Sequence, residues 1–124
     1  MTVTPYSELE RRRRVLQAEL AKIDAMIAAG VQPERVIWNA AKLHKTTSAD
    51  VLRQNRSRGA SDARKMVAGY LRGQGWRPDD IANVLNRDRS TVYYLLESHD
   101  DLYASSDGYC RTYSQLVELQ NIEI

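Results

Sequence analysis

At 124 residues and 14.2 kDa the chain has the size of a single domain. Its composition of 43% hydrophobic and 27% charged residues, with six Gly and three Pro, excludes a wholly disordered or fibrous chain, and no apolar run is long enough for a membrane span. The net charge of +2 conceals an asymmetry: residues 1–30 carry five basic and four acidic side chains, residues 31–94 twelve and six, and residues 95–124 one and six. The middle is the basic part, which suits a polyanionic partner as well as it suits a solvated mixed surface.

The spacing of apolar residues is helical nearly throughout, so the fold class is all-α. From Tyr6 to Ala29 the chain is rich in helix formers and runs to Gly30, a favoured residue just past a helix C-terminus, so a long N-terminal helix is expected over residues 1–30 and a second domain over 31–124. Within the first helix, Leu9, Leu16 and Ile23 at d and Arg13, Leu20 and Ile27 at a make about three heptads with one charged core position. That pattern fits a homodimeric coiled coil and fits packing against the chain's own domain equally well.

Pro33 suits the first turn of a second helix that runs to about Lys45, with Val36, Ile37, Ala40, Ala41 and Leu43 facing a core. Ser48 can cap a short helix through Val51 and Leu52. The stretch QNRSRGA then breaks the apolar pattern as a basic loop. Ala63, Met66, Val67, Tyr70 and Leu71 define a central helix that stops in Gly73-Gln74-Gly75. Pro78 opens a helix carrying Ile81, Val84 and Leu85, and a short NRDR connection leads to another at Val92, Leu95 and Leu96, with Asp88 placed as its N-cap. A last helix is expected from about Asp107 to Gln120, presenting Tyr109, Tyr113, Leu116 and Val117.

Two short, tightly joined helices form a helix-turn-helix candidate, in which the second helix enters a DNA major groove N-terminus first. Asp88, Arg89, Ser90 and Thr91 are then the side chains that reach base edges: Arg pairs with guanine, Asp accepts from cytosine, and Ser or Thr bonds either or touches a thymine methyl. Upstream, Arg53, Arg56, Arg58, Arg64 and Lys65 gather against the single acid Asp62, a cluster suited to phosphates and to a minor groove. Arg77, just ahead of the helix pair, and Arg87, in the NRDR connection within it, complete the candidate DNA-binding set.

Other residues have weaker claims. Trp38 and Trp76 lie beside apolar helical positions and read as core or hinge packing; of Tyr93 and Tyr94, one is expected to pack inward and the other to lie near a phosphate. A lone Cys110 precludes an internal disulfide, and with only His44 and His99 besides, neither a structural zinc site nor a Cys/His nucleophile pair is expected. No cofactor is implied. The tyrosines lack the Arg/His constellation a recombinase nucleophile needs. The basic cluster in MTVTPYSELERRRR is not followed by an apolar signal-peptide core, so the expected location is cytoplasmic.

Residues 51–102, with a basic loop ending RSR, an Arg opening the central helix, a helix beginning near a Pro and an acid before Ile, and the string RDRSTV at 87–92, resemble the C-terminal DNA-binding domain of the bacterial replication initiator DnaA. The resemblance extends more weakly over most of residues 33–120. It implies a Trp repressor-like helix-turn-helix bundle, the helix starting near Asp88 in the major groove, Arg56 in the adjacent minor groove, and Arg64 and Arg87 on phosphates. The chain departs from the initiators in having Arg89 and Ser90 where they typically have His and Thr, which changes a base-reading position. No G-x-x-x-x-G-K-[ST] loop occurs in these residues, so ATP-driven origin opening is not expected of them. The reading that follows is a non-enzymatic, sequence-preferring double-stranded DNA-binding protein, a transcription or replication regulator of the kind a phage or mobile element carries. The alternative is a protein-interaction module that keeps the fold but binds no DNA.

Overall fold

The computed structural model describes residues 5–28 and 32–122, with side chains for 7–21 and 32–121. The described residues form seven helices and no strand, bearing out the all-α class: α1 (Pro5–Ala28), α2 (Pro33–Leu43), α3 (Ser48–Leu52), α4 (Arg58–Gly73), α5 (Pro78–Leu85), α6 (Arg89–Ser105) and α7 (Asp107–Ile122). None of the described helices is long and apolar enough to cross a membrane. The chain divides into two compact units, Met1–Gln32 and Pro33–Ile124. In the first, α1 is continuous; Gly30 and the side chains of Ile23 and Ile27 lie outside the described residues.

The second unit is built around α4, which packs against α2, α3, α5 and α6, while α7 closes over α2 and α6. Ala63, Met66, Val67, Ala68 and Leu71 of α4 are fully buried together with Val36, Val51, Ile81, Leu85, Val92 and Leu116 from the surrounding helices. Burying a side chain of this size stabilises the fold by about 1.5–3 kcal/mol, which is why a helix with an apolar row this wide sits centrally. The amide of Asn39 adds a polar tie from α2 to Gln120 of α7 at 2.6 Å, and Arg72 grips Asp100 with two hydrogen bonds of 3.1 and 2.5 Å, joining α4 to α6.

Three helix ends share one solution. Beyond α2, α4 and α5 a residue with positive φ reverses the chain, and the next N–H bonds back to a carbonyl five residues earlier: Thr46 to Ala41 (2.9 Å), Trp76 to Leu71 (3.0 Å) and Arg87 to Ala82 (3.0 Å). The reversing residue is Gly75 in one case, but Lys45 (φ 57°) and Asn86 (φ 56°) in the others. Asn adopts this region readily; Lys45 does so because the bonds around it satisfy carbonyls at the end of α2.

Several boundaries differ from the sequence expectation. Thr47, not Ser48, caps α3, its hydroxyl accepting from the Asp50 N–H at 3.1 Å. The basic loop is shorter than QNRSRGA: Ser57 caps α4 by accepting from the Ala60 N–H at 3.3 Å, so Arg58, Gly59 and Ala60 already belong to the helix. The second helix of the helix-turn-helix pair is not short but runs 17 residues to Ser105. Trp38, expected in the core or a hinge, is 55% exposed on α2 with the Lys42 ammonium 5.4 Å from its ring centre. Val36, Ile37, Ala40 and Ala41 already fill the inward face of that helix, leaving Trp38 the outer one.

Where α4 crosses α6, Gly69 meets the buried ring of His99: a Cβ at position 69 would stand 2.3 Å from its Cδ2. The ring is enclosed by Tyr103, Tyr109 and Tyr113 at centroid distances of 6.1, 5.5 and 4.7 Å, and its Nδ1 hydrogen-bonds the Tyr109 hydroxyl at 2.6 Å. Gly69→Ala should therefore destabilise the protein by about 1–3 kcal/mol, measured by chemical denaturation, because the ring has no free space to enter.

Burial holds the affinity of His99 for a proton below the ordinary histidine range; Asp100 works against that shift and Arg72 adds to it. His44 is lowered too, by burial first, with Asp62 opposing, and its Nε2 lies 3.1 Å from the Met66 sulfur. Below the ordinary histidine pKa the unfolded chain binds more protons than the folded one, so stability is full above about pH 6.5 and falls as the pH drops beneath it. Thermal melts should show Tm falling between pH 7 and 5, and replacing His99 with Gln should flatten that slope.

Candidate nucleic-acid interface

α5, the three residues Asn86-Arg87-Asp88 and α6 form a compact helix-turn-helix. Pro78 opens α5, where a missing N–H costs nothing, and Asp79 and Asp80 fill its first turn. Asn86 ends it in the left-handed conformation, and Asp88 stands at the N-cap of α6 with extended backbone. The N-cap position is the expected one, although the Asp88 side chain makes no capping hydrogen bond and the residue is exposed. Arg89 and Ser90 are exposed, and Thr91 is half-buried.

The basic loop lies beside this pair. Its tip is an Asx turn, the Asn55 side chain accepting from the Ser57 N–H at 2.8 Å, and it presents Arg56 to solvent between them. Beneath it sits Arg64, only 8% exposed, whose Nε donates to the Val51 carbonyl at 2.8 Å and whose Nη2 donates to those of Asp50 (3.1 Å), Arg53 (2.9 Å) and Asn55. From the other side Arg87, in the helix-turn-helix connection, donates through Nη1 to Leu52 at 3.1 Å and through Nη2 to Arg53. Two guanidiniums thus hold every carbonyl from Asp50 to Arg53 and that of Asn55. Burial, with the neighbouring charge of Arg87, pushes the Arg64 pKa below its ordinary value, although a guanidinium remains charged at any physiological pH.

This corrects the expected role of both residues. The resemblance implied phosphate contacts for Arg64 and Arg87; folding sets Arg64 under the loop, where its donors shape the backbone, and directs both terminal nitrogens of Arg87 to carbonyls. Lys65 is also drawn in, its side chain 15% exposed and its ammonium 3.7 Å from Asp62, while Arg58 is almost fully exposed with its Nε 3.9 Å from the same carboxylate. Arg53, Arg56, Arg58, Arg77 and Arg89 are the basic members of this region that stand outward.

Between the loop and the helix pair runs a polar groove lined by Gln54, Asn83, Asn86, Arg87, Asp88 and Thr91. Gln54 and Asn83 were not singled out from the sequence. Nothing in linear spacing marks them, because they meet only once the loop folds back on α5. Arg89 has two neighbours that were also not foreseen: its Nε lies 3.6 Å from Asp79, and its guanidinium carbon 5.8 Å from the centre of the Tyr93 ring. Neither Tyr93 nor Tyr94 packs inward; they are 51% and 62% exposed, since Val92, Leu95 and Leu96 occupy the buried face of α6. Comparison of the chain with family models, with curated proteins and with solved structures finds no match.

Arg64→Met keeps the length of the side chain but removes its donors. It should cost about 1–3 kcal/mol in denaturant unfolding by leaving buried carbonyls unpaired, whereas Arg56→Met at the exposed tip should change stability by less than about 0.5 kcal/mol.

Proposed function

We propose that the Pro33–Ile124 unit binds double-stranded DNA in a sequence-preferring way, with α6 entering the major groove from its N-terminal end and Arg56 entering the adjacent minor groove. On this reading the bundle is Trp repressor-like, similar to the C-terminal domain of DnaA, and the chain is a non-enzymatic regulator of transcription or replication. The observation that carries the proposal is the pair of bonds from Arg87 to the carbonyls of Leu52, at the end of α3, and Arg53, at the start of the loop. It fixes a loop with outward arginines against the connection that starts the recognition helix, so that two DNA-contacting elements present themselves as one preformed surface.

Energetics support this use of Arg89. An exposed ion pair such as Arg89–Asp79 is worth about 0–1 kcal/mol, and an exposed cation–π contact about 0.5–1 kcal/mol. A bidentate arginine–guanine pair contributes about 1–3 kcal/mol of discrimination, enough to draw the side chain away from both. Asp79 and Tyr93 would keep the guanidinium near the start of α6 in the free protein. Asp88, Ser90 and Thr91 supply the remaining first-turn contacts, and Arg53, Arg58 and Arg77 lie outward for phosphates.

Affinity for a random duplex should fall steeply as salt rises, and Arg56→Ala should weaken binding across sequences and lower the salt slope by about one phosphate contact. Arg89→Ala should flatten preference at one base pair by about 1–3 kcal/mol, and Arg89→His should move the selected site toward the initiator box. Fluorescence anisotropy and selection from a random duplex library measure these effects; no binding at low salt would refute the proposal.

A further inference from the structure

We propose that α1 pairs with α1 of a second copy of this chain, in antiparallel orientation. The inference rests on α1 alone and stands apart from the DNA reading. Leu9, Leu16 and Leu20 are 60%, 58% and 58% exposed, and they lie at heptad core positions with Arg13 among them. The sequence continues the register at Ile23 and Ile27. Leucines exposed at spacings of seven and four residues trace one stripe along the helix, the kind of stripe that a helix pair buries.

Charge decides for an antiparallel copy. In a parallel, in-register pair, Arg13 meets Arg13 in the core, and Glu19 flanks Asp24 of the second copy, so two sets of like charges are brought together. Reversing one helix in the register that puts Leu9 opposite Leu20 also puts Arg13 opposite Leu16 and repeats both layers by symmetry, whereas a shift of one heptad, with Leu16 opposite Leu20, would bring Glu19 against Glu19. The flanking positions then set Arg12 beside Glu19 of the second copy, twice. Arg13 is suited to its place: its guanidinium bonds Glu10 at 3.0 Å on the flank of the same helix, so the methylene stem can cover Leu16 while the charge stays at the edge. Among the described residues Arg12 is held by an exposed contact of 3.4 Å to Glu8, weak enough to yield to Glu19.

Light scattering and sedimentation of the full chain test the assignment. The expected mass is that of two chains. Leu16→Lys, which opposes a cation to Arg13, should give a monomer that retains its helical circular dichroism. Arg12→Glu and Glu19→Arg should each weaken the dimer about tenfold, and the two together should restore it, because the swapped pair is again of opposite sign. In a parallel dimer Glu19→Arg would instead strengthen association through Asp24. A monomer at all concentrations, as when α1 docks on its own chain, would overturn the proposal, as would a dimer that Glu19→Arg strengthens or that Arg12→Glu leaves unchanged.

Discussion

Two arginines, one on α4 and one between α5 and α6, hold the backbone between α3 and α4 in place. Carbonyls turned toward a protein interior must be paired, and neither the last carbonyls of a helix as short as α3 nor those of Arg53 and Asn55 just after it have a helical partner. Arg64 answers this from below with four carbonyls, and Arg87 from the side with those of Leu52 and Arg53. Because they converge on the same Arg53 carbonyl, the loop, the central helix and the helix-turn-helix connection are locked as one body. No carboxylate takes part in these bonds, so the positive charge of the pair is not cancelled and adds to the field of the outward arginines.

The rest of the Pro33–Ile124 unit serves that arrangement. α4 is buried along most of its length, and the helices around it stop where backbone hydrogen bonds, rather than glycine alone, turn the chain. Close approaches occur where side chains are absent: a Cβ on Gly59 would stand 2.6 Å from the His44 carbonyl, and one on Gly69 would strike His99. The first lets the start of α4 lie against the end of α2, directly behind the basic loop. The second lets α4 and α6 come together over an enclosed histidine, with the Arg72–Asp100 pair along the same seam.

Charge is used differently in the two units. In α1 two glutamates are each followed one turn later by an arginine, in the Glu8–Arg12 and Glu10–Arg13 pairs, and Leu9, Leu16 and Leu20 stay exposed on the same helix. In the second unit basic side chains are sorted by depth: Arg64 and Lys65 inward, Arg53, Arg56 and Arg58 outward, with Asp62 holding the boundary. A cluster that looks uniform as a string therefore divides into groups that build the loop and groups that face solvent.

The amino-acid sequence by itself determined the class and order of the helices, because burial of one apolar face imposes a period that survives without tertiary information. Val36-Ile37-Ala40-Ala41, Met66-Val67-Leu71 and Val92-Leu95-Leu96 were legible in that way, and Pro33 and Pro78 marked starts through their missing N–H. The left-handed conformation of Lys45 and Asn86 was not, since a non-glycine residue takes positive φ only when bonds from neighbouring turns reward it. The exposure of Trp38, Tyr93 and Tyr94 was decided by which face of each helix the smaller apolar residues had already filled. The candidate site was half legible: Arg56, Asp88, Arg89, Ser90 and Thr91 could be named from the helix-turn-helix pattern and the resemblance, but the work of Arg64 and Arg87 could not. A guanidinium finds a carbonyl many residues away only when the fold brings them within about 3 Å, and spacing along the chain does not encode that distance.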